Sequence, residues 1–133
     1  MGKRKKLWIG LTLGIAVLLA SCGGSSGGSE SEAEEPTYSP EMIAEGDSLF
    51  QQTCFACHGS DGKGLPNLGK DLTTSEFVRS LTDAELQAYV LEGRAADDPL
   101  NTTGVAMPPK GGFSFLTEDN ISSIIAFVRS IQE

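Results

Sequence analysis

Histidine, tryptophan and cysteine are scarce in this sequence of 133 residues, which contains one histidine, one tryptophan and three cysteines. Three cysteines are too few for the disulfide framework that stabilises many small secreted proteins. Basic residues are scarce after position 6, where 6 basic and 18 acidic residues give a net charge of −12. Because phosphate backbones repel a chain of this charge, we expect no nucleic-acid binding.

The N-terminus lacks an apolar run long enough to span a membrane. Residues 3–6 are basic, and the apolar stretch from Leu7 to Ala20 has 14 residues, whereas a spanning helix needs about 20. The stretch leads into Leu-Ala-Ser-Cys, ending at Cys22, and no Arg-Arg pair precedes it. This pattern resembles a bacterial lipobox and predicts a signal peptide over residues 1–21 with lipid attachment at Cys22. Cleavage without acylation and an uncleaved membrane helix are the alternatives.

Residues 22–39 are predicted to be a flexible tether. They are rich in glycine and serine and contain four glutamates. The segment therefore has few apolar side chains to bury, and its glutamates repel one another. Such a coil reaches about 20–25 Å, which is comparable with the width of a domain formed by residues 40–133. We therefore expect an exported protein, held on the outer face of the bacterial cytoplasmic membrane or facing the periplasm.

The domain at 40–133 lacks an alternating run long enough for a sheet, so we predict an all-α fold. Three helix starts stand out, at Ser39, Thr82 and Thr117, each with a capping hydroxyl and an acidic first turn. The first helix is predicted to run to about Cys54–Cys57, and the second to end at Gly93. Three short helices and two long loops bury little apolar surface, so we expect something other than peptide at the centre.

The sequence Cys54-Phe55-Ala56-Cys57-His58 is typical of a c-type haem attachment site. Two thiols three residues apart at a helix end lie on one side and can both add to one porphyrin. The adjacent imidazole, the only one in the chain, is then held against the iron. A zinc site would need further ligands, a thioredoxin-like pair would need a βαβ pattern, and an inert buried pair is the remaining alternative.

The second axial position of the iron requires another ligand, and the chain after Cys22 offers Met42 and Met107. Met42 lies near the start of the first predicted helix, at the spacing of core positions. Met107 precedes two prolines, which keep its loop extended and out of any helix. We therefore predict that His58 and Met107 are the axial ligands.

With these residues, the chain from position 41 to 133 resembles a small bacterial class I cytochrome c with one haem. The resemblance extends to Gly46, at the crossing of the first and last helices, to Phe127, packed over it, and to Phe50, before the haem cysteines. It implies three main helices wrapped around one covalent haem c, and it implies that the Pro66 carbonyl accepts the His58 proton. The segment from Arg94 to Gly104 has no counterpart in that pattern.

The function expected from these features is single-electron transfer by a membrane-tethered protein, without catalysis or a small-molecule substrate. Its partners would be respiratory or photosynthetic redox proteins, and its acidity predicts basic docking surfaces on them. One alternative is a fixed haem subunit of a larger respiratory complex. Others are a haem enzyme or gas sensor with an open iron position and a thiol oxidoreductase without haem.

Overall fold

The computed structural model describes Thr37–Glu133. The predicted signal peptide (1–21), the predicted lipid attachment site Cys22 and most of the predicted tether lie outside the described residues. Five α-helices, α1 to α5, occur in chain order at Pro40–Thr53, Phe55–His58, Glu76–Ser80, Asp83–Glu92 and Glu118–Ser130. None of these helices is long and apolar enough to cross a bilayer. No strand forms in this part of the chain, and the predicted all-α fold is confirmed.

The core forms where α1 and α5 cross. A methyl group added at Gly46 would lie 1.8 Å from the Ser123 carbonyl oxygen and 2.9 Å from Cβ of Phe127. The rings of Phe50 and Phe127 pack with their centroids 5.1 Å apart. The predicted close crossing at Gly46, with Phe127 packed against it, is therefore confirmed. The rest of the buried apolar cluster consists of Val78, Leu86, Leu116, Ile121, Ile124, Ile125 and Val128.

The three predicted helix starts are confirmed by hydrogen bonds at their N-caps. Ser39 accepts from the third residue after it, and Thr82 and Thr117 each form a reciprocal capping box. In the box at Thr117 the partner is Asn120, whose side chain accepts from the Thr117 amide. The second predicted helix, α4, ends at Gly93, whose φ of 76° favours glycine.

The helical structure also differs from the prediction in three places. The first helix ends at Thr53, and α2 follows as a separate turn because the Cys57 amide bonds the Cys54 carbonyl, three residues back, at 3.2 Å. The five-residue helix α3 was not predicted, although Ser75 caps it. A tight turn at Pro109–Gly112, with left-handed φ angles of 55° at Lys110 and 65° at Gly111, also forms before α5. These elements are too short to show apolar periodicity.

A polar cluster joins Tyr38, two positions before α1, to α4 and α5. Tyr38 donates its hydroxyl hydrogen to Asp83, which also accepts from Nε of Arg129 at 3.0 Å. Arg129 further donates to the carbonyls of Val78 and Leu81. Burial and the hydrogen bond to Asp83 raise the pKa of Tyr38 to about 12, so the hydroxyl stays protonated at neutral pH.

Candidate haem site

Of the two predicted haem cysteines, Cys54 lies at the junction of α1 and α2 and Cys57 lies in α2, and both side chains are half-buried. Neither sulfur is in a disulfide, so both thiols are available for addition to another group. Burial raises the pKa of the Cys54 thiol, and the Thr53 hydroxyl, 3.3 Å from its sulfur, acts in the opposite direction. Cys54 is therefore a neutral thiol at neutral pH.

The imidazole of His58 is oriented by one hydrogen bond. Its Nδ1 lies 2.9 Å from the carbonyl oxygen of Lys70, and a carbonyl can only accept, so Nδ1 carries the proton. In the neutral imidazole the other ring nitrogen, Nε2, then has the free lone pair and is the atom that can bind a metal. The predicted acceptor, the Pro66 carbonyl, was wrong: the structure gives that role to Lys70.

Two close backbone contacts explain why Lys70 replaces Pro66. The amide of Gly64 donates to the His58 carbonyl at 2.7 Å. This bond holds the start of the loop from Gly64 to Lys70 close to the histidine. The chain then turns through Pro66 on the surface and returns at Gly69, where a methyl group would lie 2.2 Å from the Cys57 carbonyl oxygen. Because Gly69 packs against the helix backbone, the next carbonyl, that of Lys70, lies beside the imidazole.

Met107 is held by its backbone. It forms an isolated antiparallel bridge with Arg94, in which the Arg94 amide donates to the Met107 carbonyl at 2.7 Å. The Met107 amide donates back to the Arg94 carbonyl at 2.9 Å. Pro108 and Pro109 follow, and the tight turn at Pro109–Gly112 returns the chain towards α5. The half-buried Met107 is thus fixed beside the C-terminal end of α4, whereas Met42 lies in α1.

Cys54, Cys57, His58 and Met107 all line one cavity of about 610 Å³. This volume falls in the range of about 300–1,000 Å³ that is usual for ligand and cofactor sites. The opposite walls are apolar and come from α1, α4 and α5: Phe50, Leu86, Val90, Ile124, Ile125 and Val128. Two thiols, an imidazole and a thioether around an apolar space of this size fit a haem c group.

The rim of this cavity combines polar groups with exposed apolar side chains. Arg94 lies at the rim, its guanidinium carbon 4.8 Å from the ring centroid of Phe77 and 4.9 Å from that of Tyr89. Burial raises the pKa of Tyr89, which keeps that ring neutral. Leu100 and Val105 also line the cavity and are 66% and 38% exposed, so apolar side chains form part of its rim.

Two residues of the site were not found from the sequence. Lys70 acts through a backbone carbonyl, which has no signature in the identity of the residue. Arg94 follows the helix-ending glycine directly, yet its aromatic neighbours come from α3 and α4. Only the undetected α3 places Phe77 beside it, so no local pattern could have revealed this packing.

The chain is similar in sequence to known cytochromes. The family described as cytochrome c oxidase, cbb3-type, subunit III matches residues 41–128. Cytochrome c-551 of Bacillus subtilis is 30% identical over 122 residues, covering 90% of this chain and 88% of that protein. The cbb3-type cytochrome c oxidase subunit CcoP of Azospirillum brasilense is 30% identical over 96 residues, or 68% of this chain and 31% of that protein.

A further relative is the 1-butanol dehydrogenase (cytochrome c) of Thauera butanivorans, which is 34% identical over 95 residues, or 68% of this chain and 11% of that protein. No solved structure matches the chain. The family match covers the haem-binding motif, the loop that carries Met107 and most of α5. The chain therefore belongs to the class I cytochrome c family, whose members bind haem c and transfer electrons.

Proposed function

We propose that this chain is a membrane-tethered electron carrier with one haem c, attached through Cys54 and Cys57 and ligated by His58 and Met107. The observation that carries the proposal is that these four side chains line the same cavity. The sequence contains one Cys-x-x-Cys-His motif and one histidine, which supports one haem for each chain.

Bound at this site, haem c supplies a one-electron couple at its iron. The chain provides ligands, orientation and an environment of low polarity. Lys70 fixes the tautomer of His58 and makes the imidazole a better donor to the metal. A thioether at the other position stabilises the reduced metal relative to a second imidazole, and the apolar walls limit access of water. If His58 and Met107 both ligate the metal, no ligand position would remain for a substrate, so we infer that the protein is not itself an enzyme.

The attachment can be tested with the mature protein, produced in a host that assembles c-type cytochromes. The intact mass should exceed that of the polypeptide, with any lipid attached to Cys22, by one haem, and the colour should survive acid extraction in organic solvent. Cys54→Ser with Cys57→Ser should abolish covalent attachment. A colourless wild-type protein with the mass of bare polypeptide would contradict the proposal.

The axial ligands are tested by exchanging methionines. In Met107→Ala the weak red absorbance band of the oxidised protein, which reports thioether ligation, should disappear, and the midpoint potential should fall. Met42→Ala is the matched control, because Met42 is also half-buried but lies in α1. Loss of the band in the Met42 variant, or its survival in the Met107 variant, would refute the assignment.

The tether is proposed from the pattern at residues 1–39, where Cys22 would carry the lipid and residues 23–39 would give the domain reach. Several acyl chains anchor a protein stably, whereas one chain does not. Detergent partitioning and the mass of the N-terminal peptide test this directly. Cys22→Ala should move the protein to the soluble exported fraction, and an unchanged distribution would disprove lipid anchoring.

The partners are proposed to be redox proteins with basic docking surfaces. Residues 37–133 contain 6 basic and 14 acidic residues, a net charge of −8. Acidic charge of this size would steer the encounter with a basic partner. Electron transfer with such a partner should slow as ionic strength rises. A rate that does not depend on salt would contradict charge steering.

A second candidate, a fixed subunit of a respiratory oxidase, is favoured by the similarity to CcoP. The chain spans about a third of that protein, 31% of its length. A fixed subunit would co-purify with the oxidase in constant ratio after a high-salt wash, whereas a carrier would separate. A haem enzyme or sensor with an open iron position would instead show a high-spin spectrum in wild-type protein.

A further inference from the structure

The loop over residues 95–106 is closed at its base by Arg94 and Met107. The two residues exchange amide-to-carbonyl hydrogen bonds of 2.7 and 2.9 Å, so their backbones are fixed relative to each other. Arg94 itself comes directly after the end of α4 at Gly93. Any interaction that fixes Arg94 against the helices therefore also fixes the starting point from which the Met107 side chain enters the cavity.

The Arg94 side chain packs against two aromatic rings that also contact each other. Its guanidinium carbon lies 4.8 Å from the centroid of Phe77 and 4.9 Å from that of Tyr89, within the about 6 Å of a cation–π interaction. The two rings contact each other edge to face at 5.2 Å. Only 16% of the Arg94 side chain is exposed. This packing joins the base of the loop to α3 and α4.

The same guanidinium also reaches the far part of the loop. It donates to the Leu100 carbonyl at 3.2 Å, and its Nε lies 3.9 Å from the Asp98 carboxylate. Arg94 therefore contacts the loop both at its base, through the backbone, and at its far part, through the side chain.

A second side chain, that of Asn101, crosses the interior of the loop. Its amide nitrogen donates to the carbonyls of Ala95 and Val105, at 2.9 and 2.8 Å. Its carbonyl oxygen accepts from the amides of Thr103 and Gly104, both at 3.0 Å. The donated bonds connect residues near the two ends of the loop, which holds it in one shape.

We propose that Arg94 and Asn101 are positioning residues that pre-order this loop and so hold Met107 at the cavity. The inference rests on the proposed ligand role of Met107. Without the two side chains, ordering the loop would cost conformational entropy each time the thioether binds, and the thioether would compete less well with other ligands.

The test uses the oxidised haem protein and added imidazole, which competes with the thioether for the metal. In Arg94→Gln the apparent affinity for imidazole should rise about tenfold. Hydrogen exchange at the Met107 amide should accelerate by about the same factor. Arg94→Lys keeps the charge without the planar guanidinium and should give a smaller change. Asn101→Asp removes both donated bonds but keeps the accepting oxygen, and should change both measurements in the same direction.

Arg79→Gln is the matched control. Arg79 also donates to backbone carbonyls, those of Thr73 and Thr74. It is two positions from Phe77 in α3, so the two side chains leave nearly opposite faces of the helix. This variant should keep the wild-type imidazole affinity and Met107 exchange rate.

Wild-type values in both Arg94→Gln and Asn101→Asp would overturn the proposal. Should Arg94→Gln fail to fold, Arg94→Lys and Asn101→Asp decide the question, because Asn101→Asp leaves the aromatic pair intact. A wild-type spectrum without thioether ligation would instead refute the ligand role of Met107. Exchange at the Met107 amide would then still show whether the two residues order the loop.

Discussion

Replacing Gly46 by alanine tests the crossing of α1 and α5 most directly. The added methyl group would lie 1.8 Å from the Ser123 carbonyl oxygen. That oxygen belongs to the backbone of α5, so rotation of a side chain cannot relieve the clash. To reach a contact of 3.0 Å, the oxygen must retreat by about 1.2 Å, which separates the helices where Phe50 and Phe127 pack.

Two opposing effects set the size of the change. Alanine favours a helix over glycine by about 1 kcal/mol, whereas overpacking a core costs about 1–3 kcal/mol. We expect the upper end of that range because the obstacle is backbone, which gives a net loss of about 2 kcal/mol in the free energy of unfolding. Domains have about 5–15 kcal/mol in total, so the variant should fold but be clearly weakened.

Urea denaturation of the haem protein, followed by far-ultraviolet circular dichroism, measures this change. The midpoint should fall by about 1 M, given a slope of about 1–3 kcal/mol per molar urea. The control is Ala44→Gly, at an exposed position of the same helix, which should lose only the propensity difference of about 1 kcal/mol. If Gly46→Ala is instead stabilised, as propensity alone predicts, the helices do not meet as closely as described.

Three further predictions concern caps and titrating groups. Thr117→Ala should lower the free energy of unfolding by about 1 kcal/mol, because α5 loses its N-cap, and thermal denaturation measures it. The protonated Tyr38 hydroxyl stabilises the fold at pH values below its ordinary pKa of about 10, because its pKa in the folded protein is raised to about 12. That stabilisation is lost as the pH rises between these two values. Tyr38→Phe should therefore remove a fall in stability between about pH 10 and pH 12. An equal alkaline slope in both proteins would contradict the raised pKa of Tyr38. Hydrogen bonds from Thr73 and Thr74 lower the pKa of the Asp71 carboxyl. The stability that the carboxylate contributes is therefore lost as the pH falls below about 4 and through the lowered pKa. Asp71→Asn should flatten this loss. Acid titration of the unfolding free energy checks this, and an unchanged slope would refute it.

The elements that could be predicted from sequence are those encoded locally. The helix starts at Ser39, Thr82 and Thr117 use capping side chains, and the apolar spacing of α5 defines its buried face. Three short helices alone were expected to bury little apolar surface around the centre of the domain. The structure has a cavity there, and Cys54, Cys57, His58 and Met107 line it. Local chemistry of this kind survives in the fold because caps and periodicity involve neighbouring residues.

The features that escaped prediction depend on backbone groups or on distant segments. The acceptor for His58 is a carbonyl at Lys70, selected by the packing of Gly69 on the helix rather than by any property of the lysine. Arg94 illustrates the second case, since its two aromatic neighbours lie on different helices. Helix α3 has a capping serine, yet its single buried residue, Val78, leaves no stripe to recognise.

The polar cluster of Tyr38, Asp83 and Arg129 also has a mechanical consequence. If the domain is anchored through Cys22, as proposed, a pull along the chain is transmitted first to Tyr38, before it reaches α1. Asp83 lies in α4 and bonds Arg129 of α5. Arg129 in turn bonds the carbonyls of Val78 and Leu81, so the load would be shared by α4, α5 and the segment between α3 and α4. The polar cluster would therefore carry part of the tension that would otherwise act on α1, the helix that leads to the haem cysteines.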